Sequence, residues 1–210
     1  MDNIMINQLY SRQDGLDISS SDESALIIGC GGIGSWIALD LALLGIGTLI
    51  IIDPDKIEPS NLNRTLFKLS DIGRFKTHAI KDLISERRPE CIVITIEEYF
   101  NLDIYRKYTT DYVFDCSDNL KSRELFKDLE ACYVKCGYDG FSATLSFNDF
   151  SSGQWGEDGS YTVVPSFFGT PQIISAIAII EMLMVDAEQK ATYTFNVKEM
   201  LNKLVQEAGK

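Results

Sequence analysis

Three glycines at positions 29, 31 and 34 follow one apolar run, and Asp53 closes the next apolar run along the chain. Glycines at this spacing let the backbone turn tightly, approach a phosphate closely and pack a helix against a strand. The amide groups at the start of that helix face negative charge, and a carboxylate after the second strand can bind ribose hydroxyls. The pattern predicts a nucleotide site, although glycines kept only for helix–strand packing are an alternative.

Four further segments carry polar groups that an apolar α/β core does not require. They follow apolar runs or precede helical patterns, and they are Asp-Pro-Asp at 53–55, Ser-Asn-Leu-Asn-Arg at 60–64, Gly-Arg-Phe-Lys at 73–76 and Cys-Ser-Asp-Asn at 116–119. Together they would add carboxylates, amides and cations to the glycine turn.

The elements that must position these groups alternate along the chain. Runs rich in β-branched residues predict strands at residues 25–29, 48–53, 91–96 and 112–115, and helical patterns predict helices at residues 36–44, 77–88 and 120–132. A βαβ series of this kind predicts a parallel sheet. Nearly continuous apolar strands indicate a sheet covered on both faces, with its ligand at the carboxyl ends of the strands.

The pattern changes after Cys136. Residues 141–147 alternate and predict an antiparallel strand at the sheet edge, whereas the Gly- and Ser-rich residues 151–160 predict a mobile loop, either a lid or a simple connection. Pro171 suits a helix start. The remainder predicts a buried helix at 172–185, a strand at 192–197 and a terminal helix at 198–207.

Composition excludes several classes of protein. A chain of 210 residues with 45% hydrophobic content can bury the core of one domain, and the net charge of -12 disfavours nonspecific binding of nucleic acid. The first 23 residues lack a secretion signal, and the apolar stretch 173–185 is too short for a membrane span and contains Glu181. We therefore expect a cytoplasmic protein. The five cysteines form no CxxC pair and are expected to be reduced and mostly buried.

The glycine turn and the polar segments together resemble the ThiF, MoeB and HesA family, the bacterial relatives of ubiquitin-activating enzymes. The family signature consists of GxGGxG, D-x-D, S-N-L-x-R, G-x-x-K and D-C-[ST]-D-N, and all five motifs occur here in family order. The resemblance covers roughly residues 10–145 and, more loosely, the helix after Pro171. It implies a Rossmann-like ATP-binding α/β fold in which antiparallel strands extend a parallel sheet and helices cover both faces. Residues 1–210 would form one adenylation domain, with an N-terminal arm at 1–24 and a crossover loop at 151–170.

The resemblance implies ATP-dependent adenylation of a carboxylate, usually the C-terminal glycine of a small ubiquitin-like or sulfur-carrier protein. Attack on the α-phosphorus places charge on phosphoryl oxygens, and a carboxylate is already ionised at neutral pH. Catalysis therefore needs cations and a metal rather than a strong base. By resemblance, Arg64 and Lys76 supply positive charge and Asp118 holds Mg²⁺.

The resemblance also assigns contacts with the nucleotide. Asp53 would bind the ribose and Asn61 the phosphates, although Asn61 could instead simply cap a short helix. Asn119 also fits the N-cap of the following helix. The full set of nucleotide-binding residues is Gly29, Gly31, Gly32, Gly34, Asp53, Asp55, Asn61, Arg64, Lys76 and Asn119. Arg12 matches an arginine that reaches the γ-phosphate of a neighbouring subunit's ATP, which implies a homodimer, although Leu9 replaces the first arginine of that motif.

The chain departs from the family at its cysteines. The CxxC pairs that hold zinc in many relatives are absent, so no structural zinc is expected, and no cysteine follows Cys136 to accept the activated substrate. Cys136 is predicted to be a buried core thiol rather than a nucleophile. We therefore expect an enzyme that stops at the acyl-adenylate and passes it to another protein.

There are alternatives to adenylation of a carrier protein. An NAD-dependent oxidoreductase would use the same glycine turn, but it needs a proton-transfer residue, and the single histidine, His78, is predicted to be a surface residue. A noncatalytic nucleotide-binding subunit would not need Arg64, Lys76 and Asp118. Within the adenylating class, a peptide substrate is a further alternative, and the negative charge disfavours a tRNA substrate.

Overall fold

A computed structural model describes residues 3–13, 15–16, 22–118, 125–126, 132–150, 165–184 and 190–208 of the chain. The strands are β1 (Ser24–Ile28), β2 (Thr48–Ile52), β3 (Ile92–Ile96), β4 (Tyr112–Asp115), β5 (Cys132–Asp139), β6 (Ser142–Phe147) and β7 (Ala191–Asn196). The helices are α1 (Asn3–Tyr10), α2 (Gly34–Leu44), α3 (Lys76–Arg87), α4 (Leu102–Lys107), α5 (Gly169–Met184) and α6 (Val197–Ala208). Short 3-10 turns form at Pro59–Asn61 and Leu69–Asp71.

The strands form one seven-stranded sheet in the order β3-β2-β1-β4-β5-β6-β7. The first five of these strands are parallel, and β6 and β7 are antiparallel. This confirms the predicted parallel sheet with antiparallel strands at its edge. The chain passes from β1 outwards to β3 and then returns to β4 on the other side of β1. A ligand in such a sheet binds at this switch point, outside the carboxyl ends of β1 and β4.

Apolar side chains on both faces of the sheet account for the continuous hydrophobic runs. Ile27 and Ile51 belong to one core cluster, together with apolar residues of α2, α3 and α5. Leu26 and Ile50 point to the opposite face, where Tyr105 of α4 belongs to a second cluster. Successive residues of a strand point to opposite faces, so the prediction of helices on both faces is confirmed.

Several predicted elements differ in detail. Helix α5 begins at Gly169, two residues before Pro171. Proline is tolerated there because the N–H groups in the first turn of a helix have no partner within the helix, so the N–H that proline lacks is not missed. The helix predicted at 120–132 lies mostly outside the described residues, and its last position was wrong, because Cys132 begins strand β5. The predicted loop at 151–160 also lies outside the described residues. Helices α1 and α4 were not predicted.

No helix in the described parts of the chain combines the length and the apolar character needed to cross a membrane.

Candidate nucleotide site

The glycine turn connects β1 to α2 at the switch point. Gly29 leaves the strand with φ +85°, a left-handed conformation that favours glycine, and its N–H donates to the carbonyl oxygen of Ile52 at 2.8 Å. A Cβ atom on Gly34 would lie 1.9 Å from the carbonyl oxygen of Gly29, so the first turn of α2 packs directly on the end of β1. A Cβ atom on Gly31 would meet no atom within 4 Å. The turn therefore has a tightly packed base and open space beside Gly31.

A cavity of about 510 Å³ lies at this turn, a volume typical of small-molecule sites. Of the predicted site residues that the structure describes, eight line it, namely Gly29, Gly31, Gly32, Asp53, Asp55, Arg64, Lys76 and Asp118. The fold thus brings into one cavity the glycine turn, two cations and three carboxylates of the predicted residues. Gly34 does not line it, because it forms the packed base of the turn.

Lys76 is the first residue of α3 and is held between two carboxylates. Its Nζ lies 2.7 Å from Asp55 Oδ2 and 3.5 Å from Asp53 Oδ1, and its side chain is 11% exposed. Burial by itself lowers the pKa of Lys76, but the hydrogen bond to Asp55 and the charge of Asp53 outweigh it, so the pKa lies above its ordinary value. The ammonium group therefore remains charged at neutral pH and lies on the wall of the cavity.

Asp53 connects the end of β2 to the glycine turn. Its Oδ2 accepts the N–H of Cys30 at 2.6 Å and its Oδ1 accepts the N–H of Asp55 at 2.8 Å. The residue is 5% exposed. A carboxylate has about four lone-pair sites, so these bonds leave room for a ribose hydroxyl. The ribose role of Asp53 stays a prediction, and its structural role is to hold the turn against β2.

Arg64 and Asn61 come from the same motif but lie in different surroundings. Arg64 lines the cavity. Its Nη1 donates to the carbonyl oxygen of Ser60 at 2.6 Å and to Asn63 Oδ1 at 3.0 Å. The backbone carbonyl oxygen of Arg64 accepts the indole N–H of Trp36. The side chain of Asn61 instead accepts the N–H of Glu58 at 3.0 Å and caps a 3-10 turn. The structure thus brings Arg64 to the cavity, and Asn61 does not line it.

Asp118 is exposed on the wall of the cavity, three residues beyond the end of β4. Among the described residues, no group of three or more His, Cys, Asp or Glu side chains could hold a metal ion. Mg²⁺, however, commonly binds through one or two carboxylates, with water and phosphate oxygens as its other ligands. A single carboxylate beside a cavity with cations on its walls fits that mode, and the role of Asp118 in binding Mg²⁺ stays a prediction.

Arg12 lies away from the cavity of its own chain. Its neighbour Gln13 donates to the carbonyl oxygen of Leu43, near the C-terminal end of α2. The glycine turn is at the other end of this helix of 11 residues, which is about 16 Å long at 1.5 Å per residue. The exposed Arg12 therefore does not line the cavity in its own chain, and a contact with ATP would have to reach a second subunit. Asn119 lies outside the described residues.

Several residues of the cavity were not singled out from the sequence. Tyr138, at the end of β5, lies over the glycine turn, where a Cβ atom on Gly32 would be 2.7 Å from its hydroxyl oxygen, and that hydroxyl donates to Ser166 Oγ at 3.3 Å. Glu98, Tyr99 and Phe100 follow β3 and also line the cavity, as does Leu125. Glu98, Tyr99 and Phe100 come just after the strand predicted at 91–96, and this position could have indicated them, since ligands bind at the carboxyl ends of parallel strands.

The cysteines are free in the structure. Cys136 is 1% exposed, which confirms the predicted burial of this thiol. Cys116 lines the cavity, but burial and a hydrogen bond with Cys136 raise its pKa well above the ordinary value. A thiol with a raised pKa provides little thiolate at neutral pH and is a poor nucleophile.

His78 does not belong to the cavity walls. Its Nε2 lies 3.0 Å from Glu97 Oε1, and its side chain is 48% exposed, which confirms the predicted surface position. The described part of the cavity therefore contains no histidine for proton transfer.

Comparison with known proteins identifies related sequences over the same region. A tRNA threonylcarbamoyladenosine dehydratase of Bacillus subtilis is 33% identical over 118 residues, covering 54% of this chain and 46% of the relative. The sulfur carrier protein ThiS adenylyltransferase of Escherichia coli is 34% identical over 125 residues, covering 55% of this chain and 50% of the relative. The chain thus spans half or less of the length of these curated relatives.

A crystal structure of Escherichia coli MccB with ATP has the same fold, with a TM-score of 0.66 and 20% identity, covering 84% of this chain and 64% of MccB. The model of the ThiF family matches residues 2–148, more than half of the chain. Residues from each of the five motifs of the signature line the cavity at the switch point. The sequence match and this arrangement lead to one conclusion: the chain belongs to the ThiF family.

Proposed function

We propose that the chain is an ATP-dependent adenylyltransferase. Its substrate is the C-terminal carboxylate of a small ubiquitin-like or sulfur-carrier protein, and its product is the acyl-adenylate. The observation that carries this proposal is the meeting of Arg64, Lys76 and Asp118 at one glycine-lined cavity in a ThiF-family fold. The Escherichia coli relative named a ThiS adenylyltransferase supports the same type of substrate.

In the proposed reaction, a carboxylate oxygen of the substrate attacks the α-phosphorus of ATP. A new C–O–P linkage forms, the bond from the α-phosphorus to the bridging oxygen breaks, and pyrophosphate leaves. The substrate carboxylate is already ionised, so the residues of the cavity stabilise charge and need not remove a proton. Lys76 remains protonated between Asp53 and Asp55, and Arg64 adds a second permanent cation.

Mg²⁺ bound at Asp118 would neutralise charge on the phosphates and hold them in position. The open space beside Gly31 allows phosphate oxygens to approach the backbone amides of the turn.

Among the described residues, no cysteine is suited to act as the nucleophile, and this supports an enzyme whose reaction ends at the acyl-adenylate. Cys136 is buried, Cys116 has a raised pKa, and the sequence contains no cysteine after Cys136. We propose that the activated carboxylate passes to another protein in the cytoplasm, and that the enzyme is a homodimer in which Arg12 reaches the partner's ATP.

The identity of the carboxylate can be tested with three substrate classes. A tRNA-linked carboxylate is a second candidate, because a Bacillus subtilis relative named tRNA threonylcarbamoyladenosine dehydratase is 33% identical over 118 residues. The charge of -12, however, opposes RNA binding. A peptide is a third, since MccB, described as a microcin C7 biosynthetic enzyme, shares the fold and was solved with MccA. Mass spectrometry after incubation with ATP and Mg²⁺ should detect AMP on the C-terminus of a sulfur-carrier protein. AMP only on a peptide or a tRNA would contradict the proposed substrate.

The nucleotide itself can be tested by thermal unfolding. A ligand that binds only the folded protein raises its apparent stability, by about 2.7 kcal/mol at a ligand concentration of 100 Kd. We expect ATP with Mg²⁺ to raise the melting temperature of the wild type, and to do so much less for Lys76→Ala. A rise with NAD⁺ and none with ATP would support an oxidoreductase instead.

A further inference from the structure

A buried ion pair joins β4 and β5 next to the cavity. Asp115 is the last residue of β4 and Lys135 is its register partner on β5, and their side chains are 0% and 2% exposed. Lys135 Nζ lies 3.1 Å from Asp115 Oδ1. Removing two charges from water costs several kcal/mol per ion, and replacing such a pair by apolar residues is often neutral or stabilising. Stability alone is therefore a weak explanation for this pair.

Both charges bond to Ser117, the residue before Asp118. Asp115 Oδ1 accepts the backbone N–H of Ser117 at 3.1 Å and its hydroxyl at 2.6 Å. Lys135 Nζ donates to the carbonyl oxygen of Ser117 at 2.6 Å. That carbonyl belongs to the peptide bond whose N–H is that of Asp118, so Lys135 holds the peptide group from which the Asp118 side chain projects. Hydrogen bonds to charged groups are stronger than those between neutral groups.

Tyr133 and two neighbouring aromatic rings hold this ion pair in position. Asp115 Oδ2 accepts the hydroxyl of Tyr133 at 2.8 Å. The ring of Tyr133 stacks between Phe126, at a centroid distance of 4.9 Å, and Phe150, at 5.1 Å. The aromatic stack orients the Tyr133 hydroxyl, the hydroxyl orients Asp115, and Asp115 with Lys135 orients the backbone that leads to Asp118.

We propose that Lys135 and Asp115 are positioning residues that set the affinity of the site for Mg²⁺ by holding the Ser117–Asp118 peptide group. This inference rests on the proposed function, in which Asp118 binds Mg²⁺ beside ATP. Asp118 is exposed, and groups that hold a metal ligand in position raise the affinity of the site for the metal, typically about 10- to 100-fold. Lys135 acts through the backbone carbonyl of Ser117 and does not touch the nucleotide.

The test measures the Mg²⁺ concentration that gives half of the ATP-induced rise in melting temperature. It needs no turnover. For Lys135→Met, which keeps the length of the side chain and removes the donor, we expect this concentration to rise at least fivefold over the wild type. We also expect a lower melting temperature without ligands, because Asp115 loses its cation.

The double variant Asp115→Asn/Lys135→Met separates positioning from stability. It removes the buried negative charge of Asp115 together with the positive charge of Lys135 and keeps an acceptor for the N–H of Ser117. The melting temperature without ligands should therefore recover, at least in part. The carbonyl of Ser117 still lacks its donor, so the raised Mg²⁺ requirement should persist. This variant also gives a result if Lys135→Met alone fails to fold. The matched control is Ile84→Ala, a variant of a fully buried core residue near the C-terminal end of α3, away from this carbonyl. It should lower the melting temperature and leave the Mg²⁺ requirement unchanged.

The outcomes are distinct. An unchanged Mg²⁺ requirement in both Lys135 variants, or one that recovers together with stability in the double variant, would overturn the positioning role and leave the proposed function intact. A wild type whose melting temperature does not respond to ATP with Mg²⁺ would overturn the proposed function, and this inference with it.

Discussion

At the scale of single residues, the site is organised by pairs of opposite charge. Lys76 lies between Asp53 and Asp55, and Asp53 in turn binds the N–H groups of Cys30 and Asp55. This arrangement keeps a cation protonated and in place before any ligand arrives. Preorganised charge of this kind stabilises a transition state without reorganisation at the moment of reaction.

Replacement of the cation should abolish adenylation. For Lys76→Ala we expect pyrophosphate formation to fall at least about 100-fold, the range typical for loss of one preorganised donor, because charge on the phosphoryl oxygens loses its partner. Steady-state pyrophosphate release measures this, with circular dichroism to verify the fold.

Cys136→Ser is the matched control for that variant. Cys136 is 1% exposed and takes no part in the proposed chemistry, so the folded fraction of this variant should keep pyrophosphate formation near the wild-type rate. Loss of activity in Cys136→Ser, with Lys76→Ala still active, would show that the roles of the two residues were assigned wrongly.

At the scale of elements, two glycines of the turn between β1 and α2 have different roles. Gly34 lets the helix pack on the strand, and Gly31 leaves space for a ligand. A Cβ atom on Gly34 would lie 1.9 Å from a backbone oxygen, whereas one on Gly31 would lie in open space. The two glycines therefore have different physical requirements within one motif.

This difference predicts opposite behaviour of two alanine variants. Gly34→Ala should lower the free energy of unfolding by about 2 kcal/mol or more, because the backbone of α2 or β1 must shift. Gly31→Ala should stay within about 0.5 kcal/mol of the wild type and lose most of its ATP-induced rise in melting temperature, since the methyl group takes up space that we assign to a phosphate. Chemical denaturation and thermal shift measure the two effects, and equal stability of both variants would contradict the packing argument.

A second prediction at this scale concerns Asp40 on α2. Burial raises the pKa of Asp40 from 3.8 to about 6, and the charge of Arg87 lowers it only in part. Between these two values the folded protein binds more protons than the unfolded chain, so the contribution of this group to stability falls as pH rises from about 4 to about 6. Asp40→Asn should therefore be more stable than the wild type at pH 7, by about 1 kcal/mol after allowance for solvent screening.

Urea denaturation at pH 4 and pH 7 measures this difference. The gain in Asp40→Asn should shrink at pH 4, where protonation of the wild-type carboxyl in the folded state has already relieved the cost. A gain of equal size at both pH values would exclude titration of Asp40 as its cause.

Local sequence patterns carried much of the information at this scale, though not all of it. The continuous run Leu49-Ile50-Ile51-Ile52 indicates a strand buried on both faces, and the glycines and Asp53 mark its connection to the site. Helix α4 has six residues, too few for a helical period to emerge, and its signal was the cap, in which Asn101 accepts the N–H groups of Asp103 and Ile104. The burial of Lys135 had no local signal, because its partner Asp115 lies on another strand.

At the scale of the whole molecule, the strand order explains why distant motifs meet. Strand β1 lies between β2 and β4, so the polar segments that follow these three strands lie side by side at the carboxyl ends of the strands. Tyr138 near the end of β5 and the residues after β3 also lie at the carboxyl ends of the strands and complete the cavity. The βαβ pattern of the sequence predicts a ligand at these ends, but it does not predict the contact of Tyr138 with Gly32, because that contact depends on the order of the strands in the sheet.

The proposed dimer predicts complementation between inactive subunits. Arg12→Ala lacks the arginine that we assign to the partner's ATP, and Asp118→Ala lacks the metal ligand in its own cavity. A mixed dimer would contain one complete site, so an equal mixture of refolded or co-expressed chains should regain about a quarter of wild-type activity if they pair at random into twofold dimers. A mixture as inactive as its components would contradict action of Arg12 on a second subunit.

The most direct test of adenylation at this site is exchange of labelled pyrophosphate into ATP, measured for the wild type and for Asp118→Ala with and without a sulfur-carrier protein. Exchange requires reversible formation of an acyl-adenylate. The wild type should show exchange that depends on Mg²⁺ and on the carrier's free C-terminal carboxylate, and Asp118→Ala should show little or none. Absence of exchange in the wild type with every carboxylate class, or unchanged exchange in Asp118→Ala, would contradict this prediction.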